Sequence, residues 1–268
     1  MIRLDDEQLK DFYRQSSKGN QLKWEKDGIW YKGDYTGYEG LSEYMISRLL
    51  QLSSLDQSEF IIYDTEEILY KKQRFTGCRS RNFLAPGWQI ITLERLFMQH
   101  YGVSFYQSVF RIDDPEERLH FLVNQVVRMT GLSEFGTYMN KLMTIDAFFL
   151  NEDRHLHNIA VLMNSRGQFR YCPIFDQGAG LLSDTSLDYP VDGDVYEMIS
   201  SAQAKTFSHS FDEQLDISEK MYGNHLRFRF DKKNVKRLFS EEASYPAQLH
   251  ERVENILLEQ MRKYQYLF

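Results

Sequence analysis

The sequence predicts an α+β chain in two lobes, a small β-rich lobe over residues 1–87 and a larger, mostly helical lobe over residues 88–268. Three observations carry this. The first part alternates short apolar runs with turn residues and offers one helical stripe. The second carries one apolar stripe after another at helical spacing from Ile91 onward. Ala85-Pro86-Gly87, the strongest breaker in its region, stands between them.

Taken in order, Gln21 to Lys26 and Ile29 to Lys32 flank Asp27-Gly28, a strong signal for a two-residue hairpin. In that register Trp24 faces Tyr31, and Lys23 lies opposite Lys32 on the other face. Like charges directly opposite destabilise a sheet, so this pair invites an anion between them. Leu41 to Leu52 reads as a helix, with Leu41, Met45, Leu49 and Leu52 on one stripe and Glu43 near its start; Glu39 is a rival acid four residues earlier. Phe60 to Tyr63 and Ile68 to Tyr70 read as further strands of the same sheet. Asp114-Pro115-Glu116-Glu117 opens a helix with Leu119, Leu122, Val123 and Val126 on its stripe and Gly131 after its end. Ser133 is expected to cap the next helix, which runs to about Leu150. Ile159 to Met163 and Gln168 to Cys172 form a hairpin about Asn164-Ser165-Arg166-Gly167. Pro246 begins a terminal helix with Leu249, Val253, Ile256, Leu257 and Met261 on one side. These stripes are core packing.

Composition bounds the function. Apolar residues make up 42% and aromatics 15%, with few Gly and Pro, which excludes collagenous, low-complexity and largely disordered classes. The net charge of −7 and the lack of a long basic run do not support a nucleic-acid footprint. Cys78 and Cys172 have no metal-ligand spacing and read as ordinary thiols in a reducing compartment. No stretch approaches 18 apolar residues and Met1 to Asp6 has no apolar leader, so a soluble, cytoplasmic protein without a membrane partner is expected.

The chemistry is concentrated in Asn151-Glu152-Asp153-Arg154-His155-Leu156-His157-Asn158 and in Phe175-Asp176-Gln177-Gly178 beyond the hairpin. An Asp, an Asn five positions later and a second Asp are the parts kinase-type phosphoryl transfer needs. The first Asp orients the attacking hydroxyl, while the Asn and second Asp hold Mg²⁺ against ATP phosphates. The Asp-to-Asn spacing matches the catalytic loop of protein kinases, with Arg and His after the Asp instead of before it. The hairpin is expected to bring Asn158 near Asp176, as a hard cation with oxygen ligands requires. Arg154 and His155 are expected to fix the loop by hydrogen bonds. A Lys on a strand and a Glu on the next helix, here Lys32 and Glu43, is the arrangement that orients a kinase's phosphate-binding lysine. The polar stretch from Gly178 to about His209 sits where an activation segment would, and a surface loop describes it equally well.

At this point the residues resemble the HipA-like serine/threonine kinases. Ser16-Ser17-Lys18-Gly19-Asn20-Gln21-Leu22-Lys23 is similar to that family's S-x-x-G-x-Q-x-K phosphate loop. Trp30-Tyr31-Lys32 with Ser42-Glu43-Tyr44 is similar to its strand Lys and helix Glu, and Asn151 to Asn158 with Phe175-Asp176 to its catalytic loop and metal-binding Asp. The resemblance implies a bilobal protein-kinase-like fold using ATP and Mg²⁺, with Asp153 as catalytic base and Asn158 and Asp176 as metal ligands. It implies ATP contacts from Ser16, Ser17, Lys18, Gly19, Asn20, Gln21, Lys23 and Lys32, the last oriented by Glu43, and autophosphorylation at Ser16. It further implies a protein acceptor, toxin-type or growth-modulating activity and a separately encoded antitoxin. The chain is shorter than the full-length toxins and is expected to lack their extra N-terminal subdomain. D-R-H-x-x-N is shared with phosphoinositide 3- and 4-kinases, so a lipid or small-molecule kinase is the enzymatic alternative. A nucleotide-binding pseudokinase is the non-enzymatic one.

Overall fold

Asp27 and Gly28 both adopt positive φ, 52° and 75°, the left-handed pair that lets a two-residue turn follow the twist of its strands. They join β2 (Lys23–Lys26) to β3 (Ile29–Gly33) in the computed structural model, which describes residues 1–10 and 21–268. The register is the expected one, with Trp24 opposite Tyr31 and Lys23 opposite Lys32. Ser16, Ser17, Lys18, Gly19 and Asn20 lie outside the described residues, and the candidate modification site Ser16 with them. Two compact units make up the chain. One comprises Met1–Phe83, Phe175–Ala202 and Arg227–Phe268, the other Leu84–Ile174 and Gln203–Leu226.

In the first unit, β1 (Ile2–Leu4), β4 (Asp64–Tyr70) and β5 (Gln73–Arg81) join the hairpin in a sheet of order β1-β4-β5-β3-β2 among the described residues. Trp24, Tyr31, Ile68 and Tyr70 fill one face of it. Helix α1 (Glu39–Leu50) packs on β4 and β5. Gly40 sets its approach, since a Cβ there would lie 2.4 Å from the Gly77 carbonyl carbon, while Gly77 lets β5 lie close to β3, since a Cβ on it would lie 2.0 Å from the Lys32 carbonyl oxygen. Gly77→Ala is therefore expected to destabilise the protein by about 1–3 kcal/mol, the usual cost of overpacking, measurable by urea denaturation. A change below about 0.5 kcal/mol would show that the strands separate freely there. Phe60 to Tyr63 is not the expected strand. Phe60 ends a 3-10 turn, and the Tyr63 amide donates to Ser47 Oγ at 3.0 Å rather than to a neighbouring strand. A short apolar run marks burial, and periodicity alone does not choose its partner.

The second unit opens with β6 (Trp88–Thr92), a strand that the sequence reading merged with the helical region. It pairs antiparallel with β7 (Ala160–Asn164), and β7 with β8 (Phe169–Tyr171). Helices α2 (Leu93–Tyr101), α3 (Phe105–Phe110), α4 (Pro115–Thr130) and α5 (Phe135–Phe149) follow β6. Helix α4 starts and stops as expected: Asp114 accepts from the Glu116 amide, Pro115 is the first residue, and Gly131 caps the end at φ 74°. Ser133 does not cap α5; the residue before that helix is Glu134, whose side chain makes no cap bond. The other end of α5 does more, because Leu150 takes a left-handed φ of 55° and turns the chain sharply out of the helix.

The stretch from Gly178 to His209 is less polar in space than in sequence. Leu181, Leu182, Ser183, Asp184 and Tyr189 are buried, and α6 (Val195–Ser201) lies within it. Helix α7 (Phe211–Tyr222) packs on α5 in the second unit. Helices α8 (Lys232–Glu241) and α9 (Ala247–Lys263) close the first. No helix among the described residues is long and apolar enough to cross a membrane.

Candidate active site

Lys32 stands near the end of β3 with its side chain 13% exposed. Its Nζ donates to Glu43 Oε1 at 2.5 Å and to Asp176 Oδ1 at 2.7 Å, and it lies 5.2 Å from the centre of the Tyr63 ring. Glu43 is 1% exposed, and its other oxygen accepts from the Gln177 amide at 2.9 Å. Beside it on α1, Ser42 Oγ donates to the carbonyls of Gln177 and Gly180. Helix α1 thus grips the backbone just after Asp176 with two successive side chains. Asp176 sits at φ 62°, a conformation most non-glycine residues avoid.

One ammonium here faces two carboxylates. Burial works against the charge on Lys32, but Asp176 and Glu43 outweigh it and hold the lysine well above its usual range. Burial lifts Glu43 above the usual carboxylate range, Lys32 opposes that, and Asp176 adds to it. The rival Glu39 is committed elsewhere, since its carboxylate accepts from the amides of Tyr35, Thr36 and Gly37 and from Thr36 Oγ1. Gln21 and Lys23 are half-buried, Lys23 at the start of β2.

The second unit holds the loop that follows α5. Arg154, 2% exposed, forms a buried ion pair with Asp146 of α5, its Nε lying 3.0 Å from Oδ2. Burial raises the Asp146 carboxyl despite the guanidinium and the Asn151 amide beside it. From this pair the loop is built outward. Asn151 Nδ2 donates to Asp146 Oδ1 and its Oδ1 accepts from the Asp153 amide, while Arg154 Nη1 donates to the Asn158 carbonyl at 3.2 Å. Asn158 Nδ2 closes the ring, donating to the Asp153 carbonyl at 2.8 Å and to Asp153 Oδ2 at 3.0 Å. Thr206 Oγ1 donates to the Arg154 carbonyl, and Glu152 accepts from the Gln203 amide. His155 Nε2 lies 3.6 Å from Asp153 Oδ1, and burial, against the pull of Asp153, holds this imidazole below the usual histidine range. His157 donates its amide to His155 Nδ1.

The donor chemistry fits Mg²⁺. In the second unit Asn158 spends its amide hydrogens on Asp153, which leaves Oδ1 as its atom for a cation; in the first Asp176 carries a carboxylate, and each taken by itself is a hard oxygen donor of the kind Mg²⁺ takes. No group of three or more His, Cys, Asp or Glu among the described residues is arranged to hold a metal ion. Sequence reading missed Asp146 and the role of Ser42, which stood there only as the neighbour of Glu43. A lone acid in the apolar run Ile145 to Phe149 was the available signal for Asp146; Ser42 acts on backbone and left none.

No protein-family model matches the chain, and no curated protein matches it. Solved structures do. The proinflammatory kinase CtkA of Helicobacter pylori superposes with a TM-score of 0.59 at 12% identity, over 98% of this chain and 94% of CtkA. A chain from the Shewanella oneidensis MR-1 toxin–antitoxin complex of HipA, HipB and operator DNA gives 0.53 at 13% identity, over 97% of this chain and 63% of that one. The chain has the α+β fold of HipA-like kinases.

Proposed function

We propose that the chain is a kinase that transfers the γ-phosphoryl group of ATP, with Mg²⁺, to a serine or threonine hydroxyl of a protein. The observation that carries this reading is the buried Lys32–Glu43–Asp176 set in a chain of this fold, because a strand lysine oriented by a helix glutamate is what positions ATP phosphates in kinases. In this reading Lys32 binds the α/β-phosphates, and Gln21, Lys23 and the loop from Ser16 to Asn20 contact the nucleotide. Asp153 orients the acceptor hydroxyl and takes its proton as the new O–P bond forms and the bond from phosphorus to the leaving ADP oxygen breaks. Asn158 and Asp176 hold the cation, which neutralises phosphate charge when bound. Arg154 and His155 keep Asp153 in place. The two lobes are residues 1–87 and 88–268.

The reading extends to autophosphorylation at Ser16, a cytoplasmic setting and growth-modulating, toxin-type activity. HipA is solved with HipB, which supports a separately encoded antitoxin partner here. Calorimetry with ATP should show binding that weakens when Mg²⁺ is chelated or Asp176 becomes Ala, and equal binding in all three conditions would remove the metal assignment. Labelled ATP offered to whole-cell protein and to lipid side by side decides the acceptor; label in phosphoinositide with none in protein would overturn the protein-kinase reading.

A further inference from the structure

Glu43 is only as well placed as the helix that carries it. Helix α1 has no side-chain cap from Tyr38, the residue before it. Its first turn is held instead by Asp34, six residues upstream, whose Oδ1 accepts from the Gly40 amide at 2.7 Å. Asp34 is tied to the sheet as well, its amide donating to the Thr76 carbonyl of β5 at 2.8 Å. The other carboxylate oxygen, Oδ2, accepts from the hydroxyl of Tyr245 at 2.7 Å. Tyr245 lies in the short turn between α8 and α9, some 200 residues along the chain and buried.

That turn is itself fixed. Glu242, its side chain fully buried, accepts from the Ser244 and Tyr245 amides, from Thr65 Oγ1 of β4 and from His250 Nε2. The fit at the far end is close, since a Cβ on Gly40 would lie 2.5 Å from the Tyr245 hydroxyl. The first turn of α1 is thus wedged between the β5 backbone and one phenol oxygen, and Glu43 follows one turn later, at the spacing that puts it on the same helix face as Gly40.

We propose that Tyr245 is a positioning residue for phosphoryl transfer: through Asp34 it sets the seat of α1 and so holds Glu43 against Lys32. This rests on the kinase reading above. A segment remote in sequence from every residue of the catalytic motifs thereby controls the orientation of the phosphate-binding lysine. A movement of the α8–α9 turn would release α1 without touching Lys32, Glu43 or Asp176.

Tyr245→Phe removes the hydroxyl and keeps the ring. Hydrogen exchange of the α1 amides, followed by mass spectrometry, should quicken in the variant. The rate of ADP formation from Mg·ATP with whole-cell protein as acceptor should fall about fivefold, the loss of one hydrogen bond, with KM for ATP within about twofold. In a Glu43→Gln background the same substitution should cost nothing further, because both changes act on one contact; general loss of stability would instead multiply. Unchanged exchange and rate, or a multiplicative loss in the double variant, would overturn the proposal. If wild type forms no ADP, the kinase reading fails alone, and α1 exchange still decides whether Tyr245 seats the helix. Should Tyr245→Phe not fold, Glu242→Gln, which loosens the turn that carries Tyr245 and leaves Asp34 and Gly40 untouched, must show the same quickened exchange or the proposal falls.

Discussion

Asp146→Ala should destabilise the protein by about 3–5 kcal/mol, the usual cost of breaking a buried ion pair from one side. Arg154 is 2% exposed and its Nε and Nη2 both reach the Asp146 carboxylate. A guanidinium cannot shed its proton to escape an apolar site. The reverse change, Arg154→Ala, leaves a carboxyl that can neutralise itself by taking up a proton, which burial already favours. The two variants should therefore differ in their dependence on pH. With the folded-state pKa of Asp146 raised above its unfolded value, its contribution is full below the ordinary carboxylate pKa and is lost as pH rises through the folded value. Arg154→Ala should then approach wild-type stability on the acid side and fall away toward neutrality, while Asp146→Ala stays poor throughout. Urea denaturation across pH 4.5–8 reads both, and parallel curves would refute the assignment of the buried charge.

Asp153→Asn should lower phosphoryl transfer by about 10²–10⁴-fold, the usual contribution of a positioned base, and leave nucleotide affinity nearly unchanged. The substitution is conservative for the loop. Asn158 Nδ2 donates to Asp153 Oδ2, and an asparagine can present its amide oxygen at the same place. What it cannot do is accept the acceptor's proton. A single-turnover measurement with labelled ATP separates that step from binding. A loss smaller than tenfold would move the base elsewhere, and a loss of affinity would show that Asp153 serves the loop rather than the chemistry.

Much of this arrangement can be read before any coordinates, and the boundary is instructive. The β2–β3 register follows from Asp27-Gly28, because two adjacent left-handed residues leave one way to pair the flanking strands. From that register alone Lys32 stands out as a lysine facing another lysine. Which acid meets it does not follow from sequence: Glu39 and Glu43 are four apart on one helix face, and only the turn from Tyr35 to Gly37, with three amides to satisfy, commits Glu39. Strand β6 was hidden because its partner β7 lies far along the chain, whereas its own five residues carry no turn signal toward it. Helix α4 was plain at both ends since its caps are local. The Asp34–Tyr245 bond, joining residues 211 apart, has no local trace.

Asp176 holds its carboxylate on a backbone at φ 62°, a left-handed conformation that Asp tolerates better than most L residues but that only glycine adopts without steric cost. Fold and chemistry therefore pull against each other at this one position. Exchanging Asp176 for Gly would ease the backbone but give up the 2.7 Å contact with Lys32 and add freedom to the unfolded chain, whereas neither Asp146 nor Arg154 could be lost singly without harm.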